Sequence, residues 1–208
     1  MSEYTTIKEQ VVSVVTIKHS KFIATAVPVA DYDDALEKVA QIKKRYPDAT
    51  HNTYALVADE MGMQCKYSDD GEPSGTAGVP ILEVIKRKGV THVLVVVTRY
   101  FGGIKLGANG LVSAYAGATA AALDEATKVR MVMSAVCKVK LDYALGGRIN
   151  ALAQKAGGRV EATEYVDGVT AMVVLPDEAA EGFRLDLVEY SKGTVEFAIE
   201  GHEYRGYV

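Results

Sequence analysis

The stretch from Val90 to Thr98 constrains the fold most. It is β-branched almost throughout, and Val93 to Val97 carries no polar residue. A strand with one wet face alternates apolar and polar side chains; this one does not. It is therefore predicted to be a central strand covered on both faces, which demands flanking strands and a layer of helices above and below.

The rest of the chain supplies such partners. Residues 5–18 and 20–29 read as strands, with His19-Ser20 at the turn between them. Asp31 to Tyr46 reads as a helix: Asp31, Asp33 and Asp34 suit its start, Lys43, Lys44 and Arg45 its end, and Pro47 stops it. A strand is predicted over 51–58, a helix over 76–88, and an Ala-rich buried helix from Asn109 to about 127, with Leu111, Tyr115, Ala118 and Ala122 on one face. From about Val132 the pattern restarts. Strands over 134–142, 159–166, 169–175 and 194–200 interleave with helices over 145–156 and 177–190, the order β-α-β-β-α-β of the ferredoxin-like arrangement. The fold class is thus α+β, in two domains, 1–131 and 132–208, with a short connection near Arg130. A length of 208 residues fits one or two domains.

Composition narrows the function classes. With 49% hydrophobic and 24% charged residues the chain is not a disordered polymer. Its longest aliphatic run, Val93 to Val97, is far short of the ~20 residues that span a bilayer, and Met1-Ser2-Glu3-Tyr4 lacks a signal-peptide layout. A cytoplasmic location and no membrane partner are expected. Cys65 and Cys137 show no CxxC spacing and are expected to be two buried thiols.

Two glycine-rich loops carry the candidate chemistry. The first runs Ser68-Asp69-Asp70-Gly71-Glu72-Pro73-Ser74-Gly75-Thr76-Ala77-Gly78. Its three carboxylates, with His51, suit either a hard-metal hydrolase or a turn in which Asp69 and Asp70 accept backbone hydrogen bonds. The turn is favoured, with Glu72 in the same motif, Ser74 or Thr76 capping the next helix and Gly75 and Gly78 allowing close approach. No metal site is assigned.

The second loop runs Thr98-Arg99-Tyr100-Phe101-Gly102-Gly103-Ile104-Lys105-Leu106-Gly107-Ala108-Asn109-Gly110. It follows a strand and opens a helix, a context that cradles phosphate. It is neither a P-loop, because Leu106 follows Lys105, nor a G-x-G-x-x-G turn. No nucleotide cofactor, and no cofactor of any kind, is expected. Arg99 and Lys105 are read as surface cations for a phosphate backbone, Tyr100 as a stacking platform and Phe101 as a core anchor. Val84 to Leu123 contains no Asp or Glu but holds Lys86, Arg87, Lys88, Arg99 and Lys105, a candidate anion-facing surface. The candidate nucleic-acid residues are these five together with Tyr100 and Asn109. No serine elbow or cysteine–histidine pairing supports nucleophilic catalysis.

The two loops, together with Ser20-Lys21-Phe22-Ile23, His51-Asn52-Thr53-Tyr54-Ala55 and Gly110-Leu111-Val112, strongly resemble the IMPACT family, whose bacterial members are of the YigZ type. The likeness covers about residues 15–125, and the C-terminal half looks like the small domain that bacterial members append. The resemblance implies a first domain similar to domain IV of elongation factor G, a ribosomal-protein-like fold with a left-handed βαβ crossover, and a second similar to its ferredoxin-like domain V. Eukaryotic members of the family restrain activation of the initiation-factor kinase of the amino-acid-starvation response, and carry a different N-terminal domain. Two positions depart from the family pattern: Asn109 stands where glycine is usual, and tolerates a left-handed turn; Ser113 stands where Lys or Arg is common. The expected function is translation-related binding of RNA or the ribosome through the 99–110 loop. A metal-assisted hydrolase using His51, Asp69, Asp70 and Glu72, and a protein–protein adaptor without nucleic acid, are the alternatives.

Overall fold

The computed structural model describes residues Glu3–Tyr207, a mixed α+β chain with two sheets and five α-helices among them. They form two compact units, Glu3–Arg130 and Met131–Tyr207.

The first unit contains β1 (Glu3–Ile7), β2 (Val11–Ile17), β3 (Ser20–Pro28), α1 (Tyr32–Arg45), β4 (His51–Val57), β5 (Cys65–Ser68), α2 (Gly78–Arg87), β6 (Val93–Tyr100) and α3 (Ala108–Glu125). Five strands form a sheet in the order β2-β3-β6-β4-β5, with antiparallel neighbours throughout. β6 lies at its centre and is covered on both faces. Val93, Val95 and Val97 pack with Phe22, Ile81, Ile85, Tyr115 and Leu123 on the side of α2 and α3. Leu94 and Val96 pack with Tyr54, Leu56, Val39 and Ile42 on the side of α1. The missing alternation of the sequence is thus the signature of two cores sharing one strand. Asp31 starts α1 by accepting from the Asp34 amide at 2.9 Å.

Several boundaries differ from those read in the sequence. The strand expected over 5–18 is two strands, broken at the polar Lys8-Glu9-Gln10. β5, four residues on the sheet edge, is too short to show a period. The helix expected from Thr76 begins at Gly78.

The two units divide between Arg130 and Met131, within β7 (Lys128–Leu141), whose apolar Val129, Met131, Val132 and Met133 continue the β pattern. β1 pairs with β7, whose residues up to Arg130 belong to the first unit. The second unit adds α4 (Ile149–Lys155), β8 (Arg159–Glu164), β9 (Val169–Pro176), α5 (Ala180–Tyr190) and β10 (Glu196–Tyr207). β9 lies between β7 and β8, antiparallel to both, and β10 pairs with β7. Phe183 and Leu187 of α5 pack on Cys137, Ala171 and Leu175. Burial, with Asp177 nearby, pushes the Cys137 thiol up to about 11. Cys65, expected buried, is half-exposed on the edge strand.

The two-faced β6 gives a direct stability test. Leu94→Ala empties a site with no solvent exposure and should cost about 2–5 kcal/mol in urea unfolding. Val14→Ala, at a residue 52% exposed on β2, should stay within about 0.5 kcal/mol.

Candidate functional site

The site is built where β6 ends. Arg99 stands opposite Phe22 of β3 and His51 of β4, and Ser68 of β5 opposite Tyr54 of β4, so both loops leave the sheet at the same end. Arg99 was expected at the surface; it is 5% exposed. Its Nη1 donates to Glu72 Oε1 at 2.6 Å, and its Nη2 donates to Ser20 Oγ at 3.4 Å. Phe22 and Phe101 lie on the guanidinium, each ring centroid 5.4 Å away. The Tyr115 hydroxyl of α3 donates to the same Glu72 oxygen at 2.6 Å. Burial, then the Glu72 carboxylate, pushes that phenol well above the ordinary tyrosine range. Phe22 meets Tyr115 edge to face at 5.2 Å. Arg99 is thus a buried ion-pair partner, because the short path from β6 leaves its guanidinium over Phe22 and beside the buried Glu72 carboxylate.

The three carboxylates of the first loop go separate ways. Asp69 accepts from the amides of Gly75, Ala77 and Gly78 at 2.8–3.0 Å and so caps α2. Burial opposes its charge, but the amides of Gly75, Gly78 and Ala77 outweigh that and hold its carboxyl below the usual range. Asp70, with φ +45°, accepts from the Asn52 amide at 2.7 Å and from Lys43 Nζ at 2.5 Å, tying β4 to α1 rather than to α2. Glu72 turns inward to Arg99 and Tyr115. Thr76 and Ser74 do not cap α2 by their side chains; the Thr76 hydroxyl donates to Pro73 O at 2.6 Å. Of the two glycines expected to allow close approach, Gly78 does so, since a Cβ there would come within 2.9 Å of Tyr67, whereas one on Gly75 would meet nothing within 4 Å. Among the described residues no group of three or more His, Cys, Asp or Glu side chains is placed to hold a metal ion. The carboxylates assigned to the hydrolase reading are each bound to a different structural partner.

The second loop folds over the β2–β3 turn. A Cβ on Gly102 would fall 2.1 Å from the His19 carbonyl carbon, so only glycine lets the loop lie there. The Gly102 amide donates to Ser20 Oγ at 3.1 Å. Ser20, whose oxygen therefore serves both Arg99 and the loop, is fully buried. Phe101, expected as a core anchor, is 45% exposed. Tyr100 donates its hydroxyl to Asp48 at 2.9 Å and so is held rather than free to swing. The left-handed residues are Gly103 and Gly107; Asn109 is helical, in the first turn of α3. α3 starts with no side-chain cap and no acid in its first turn. Its start, with Lys105 and Leu106, closes a pocket of about 420 Å³ whose opposite wall holds His51, Glu72 and Arg99.

The acid-free stretch does not make one charged face. Arg99 is buried in an ion pair, and Lys88 pairs with Asp124. Lys86 lines a cleft with Val57 and Thr91, at the end of the sheet where Val57 faces Val93. Lys86 and Arg87 are therefore roughly 20 Å from Lys105's end, at about 3.3 Å per strand residue. Space gathers a different set. Lys18 and Lys21 at the β2–β3 turn, Lys44 and Arg45 at the end of α1, and Lys105 are all exposed at the pocket end of the sheet. None of these five forms an ion pair among the described residues, whereas Asp48, Asp69, Asp70 and Glu72 at that end are each engaged.

Two outcomes follow. Arg99→Met leaves Glu72 buried without its cation and should cost about 3–5 kcal/mol, while Lys105→Ala should stay within about 0.5 kcal/mol, both read by urea unfolding. Asp69→Ala should cost about 1–2 kcal/mol at pH 7. Because the folded carboxyl lies below its unfolded value, that difference is full above about pH 4 and should close as pH falls through the folded value.

Comparison with known proteins matches this frame. The Impact N-terminal domain matches residues 18–123, which hold both loops, and a domain of unknown function (DUF1949) matches residues 139–194. The chain is 34% identical to the IMPACT family member YvyE of Bacillus subtilis over 193 residues, covering 93% of this chain and 89% of that one. It is 35% identical to the IMPACT family member YigZ of Escherichia coli over 187 residues, covering 88% and 92%. Protein IMPACT of Rattus norvegicus is 35% identical over 98 residues, 45% of this chain and 30% of that protein. A solved structure described as the crystal structure of an hypothetical protein superposes with a TM-score of 0.63 at 32% identity, covering 98% of this chain and all of that one. On the matched loops, the matched domains and relatives aligned over most of their length, the chain belongs to the IMPACT family.

Proposed function

We propose that this chain is a translation-related binding protein that grips RNA at the pocket end of its first unit. The observation that carries the reading is the set of exposed, unpaired cations Lys18, Lys21, Lys44, Arg45 and Lys105 at one end of the sheet, with Asp48, Asp69, Asp70 and Glu72 at that end already engaged. Three chain segments contribute them, so the charge spreads over a surface that a backbone of several phosphates can follow. Phe101, half-exposed on the rim, offers a face on which a base can stack. The uncapped start of α3 adds amides that favour an anion.

The finer fold assignments belong with this proposal. The β-α-β-β-α-β order of the second unit, with β9 between β7 and β8, supports a ferredoxin-like unit similar to domain V of elongation factor G. The resemblance of the loops supports a first unit similar to domain IV of that factor, with its left-handed crossover. Both are shapes that work against RNA, which is an argument by analogy. RNA in the ribosome or a free RNA would meet the same surface, in the cytoplasm.

The test is fluorescence anisotropy with a 5′-labelled single-stranded RNA over a salt series. Each phosphate neutralised on a single strand contributes about −0.7 to the slope of log affinity against log salt. Lys18→Ala, Lys21→Ala and Lys105→Ala combined should weaken binding and flatten that slope by about two units, with unfolding unchanged. No affinity of the parent protein at low salt, or an unaltered slope in the triple variant, would instead favour a protein–protein adaptor.

A further inference from the structure

The pocket wall facing Lys105 and α3 holds two hydrogen-bond acceptors with no donor between them. His51 Nδ1 lies 2.8 Å from the Asp70 carbonyl oxygen. A carbonyl only accepts, so Nδ1 carries the hydrogen, and in that tautomer Nε2 keeps its lone pair. Glu72 Oε2 stands 3.9 Å from that Nε2. The other oxygen of Glu72 already accepts from Arg99 and Tyr115, and among the described residues no hydrogen bond reaches Oε2. The Glu72 side chain is 3% exposed, and Glu72 and His51 both line the pocket. Two acceptors side by side on a pocket wall suit a ligand that brings two adjacent donors.

We infer that the pocket takes a terminal ribonucleotide whose free cis-2′,3′-diol donates to His51 Nε2 and Glu72 Oε2. This rests on the RNA-binding reading and deepens it to a chain end. A cis-diol is the neighbouring pair of donors that a ribose offers only where its 3′ oxygen is not esterified, and the 2′ hydroxyl is absent from DNA. The volume of about 420 Å³ suits one nucleotide. The walls fit its parts: Leu106, Leu111 and Pro73 are apolar surface for sugar and base, and Lys105 with the uncapped start of α3 receives the phosphate. Lys18, Lys21, Lys44 and Arg45 lie outside the pocket and would hold the phosphates that precede the last one, which points to the end of a chain rather than a free nucleotide.

The experiment compares 5′-labelled RNA decamers of one sequence that end in a ribose, in a 2′,3′-dideoxyribose, or in a 3′-phosphate, by anisotropy, with the parent protein and with His51→Ala. His51→Ala leaves the Glu72–Arg99 pair intact, and its fold is checked by its unfolding curve. The parent should bind the diol end at least about tenfold more tightly than either blocked end. His51→Ala should bind all three alike while keeping the parent's salt slope. Equal binding of the three ends by the parent overturns this inference and leaves the RNA-binding reading standing. Persistent discrimination in His51→Ala overturns the assignment to this pair of acceptors. Absence of binding to every decamer overturns the RNA-binding reading itself. Adenosine 5′-monophosphate as competitor separates the two sources of a diol: it should displace the decamer at least about 100-fold less well than unlabelled decamer does, and equal competition overturns the chain-end assignment.

Discussion

A single buried carboxylate organises the functional end of this protein. Glu72 accepts from Arg99 at the end of β6 and from Tyr115 of α3, so it joins the first loop, the central strand and the helix that follows the second loop. Arg99 passes the connection to Ser20, and Ser20 to Gly102. Removing either charge strands the other in a nearly buried site, which is far costlier than the net worth of the pair. The same geometry leaves one oxygen of Glu72 for the pocket. On the proposed reading, the group that holds the loops together is also one that a ligand touches, which would couple stability and recognition at this residue.

The loops around that pair are shaped by backbone requirements more than by side-chain chemistry. Asp69 gathers three amides from residues six to nine positions ahead, and Asp70 anchors β4 to α1. Carboxylates engaged in this way are poor candidates for proton transfer, since each already serves amides or a lysine that would lose a partner if it changed charge. Gly102 lets one loop lie on the β2–β3 turn. What these contacts leave free is cationic and faces outward, and a binding surface is the use that fits such a division of labour.

Much of this fold is legible in the sequence because it follows from period and composition. The unalternating run around Val95 announces a strand with two cores, and the caps of α1 lie where Asp31 and Pro47 place them. The candidate site is legible only as motifs. Arg99 reads as a surface cation because its partner, Glu72, is 27 positions away, and no local pattern reveals a pairing made across a sheet. The acid-free stretch misleads for the same reason: a run of charge along the chain becomes a surface only if its elements end at the same place, and α2 ends at the opposite edge from Lys105. Conversely Lys18, Lys21, Lys44 and Arg45 are scattered in sequence and meet only because β3, α1 and β6 bring their ends together. The capping role of Asp69 escapes the usual rule because it reaches α2 across a loop instead of sitting at the position before the helix.

The most direct test of the central claim, that this end of the sheet is the RNA-binding surface, is an amide NMR titration of the intact chain with a short single-stranded RNA. The account predicts shifts concentrated at residues 18–21, 44–51 and 101–111, with the amides of Ala108 to Gly110 among the largest. Shifts confined to α2's far end around Lys86, or to residues 131–207, would contradict it.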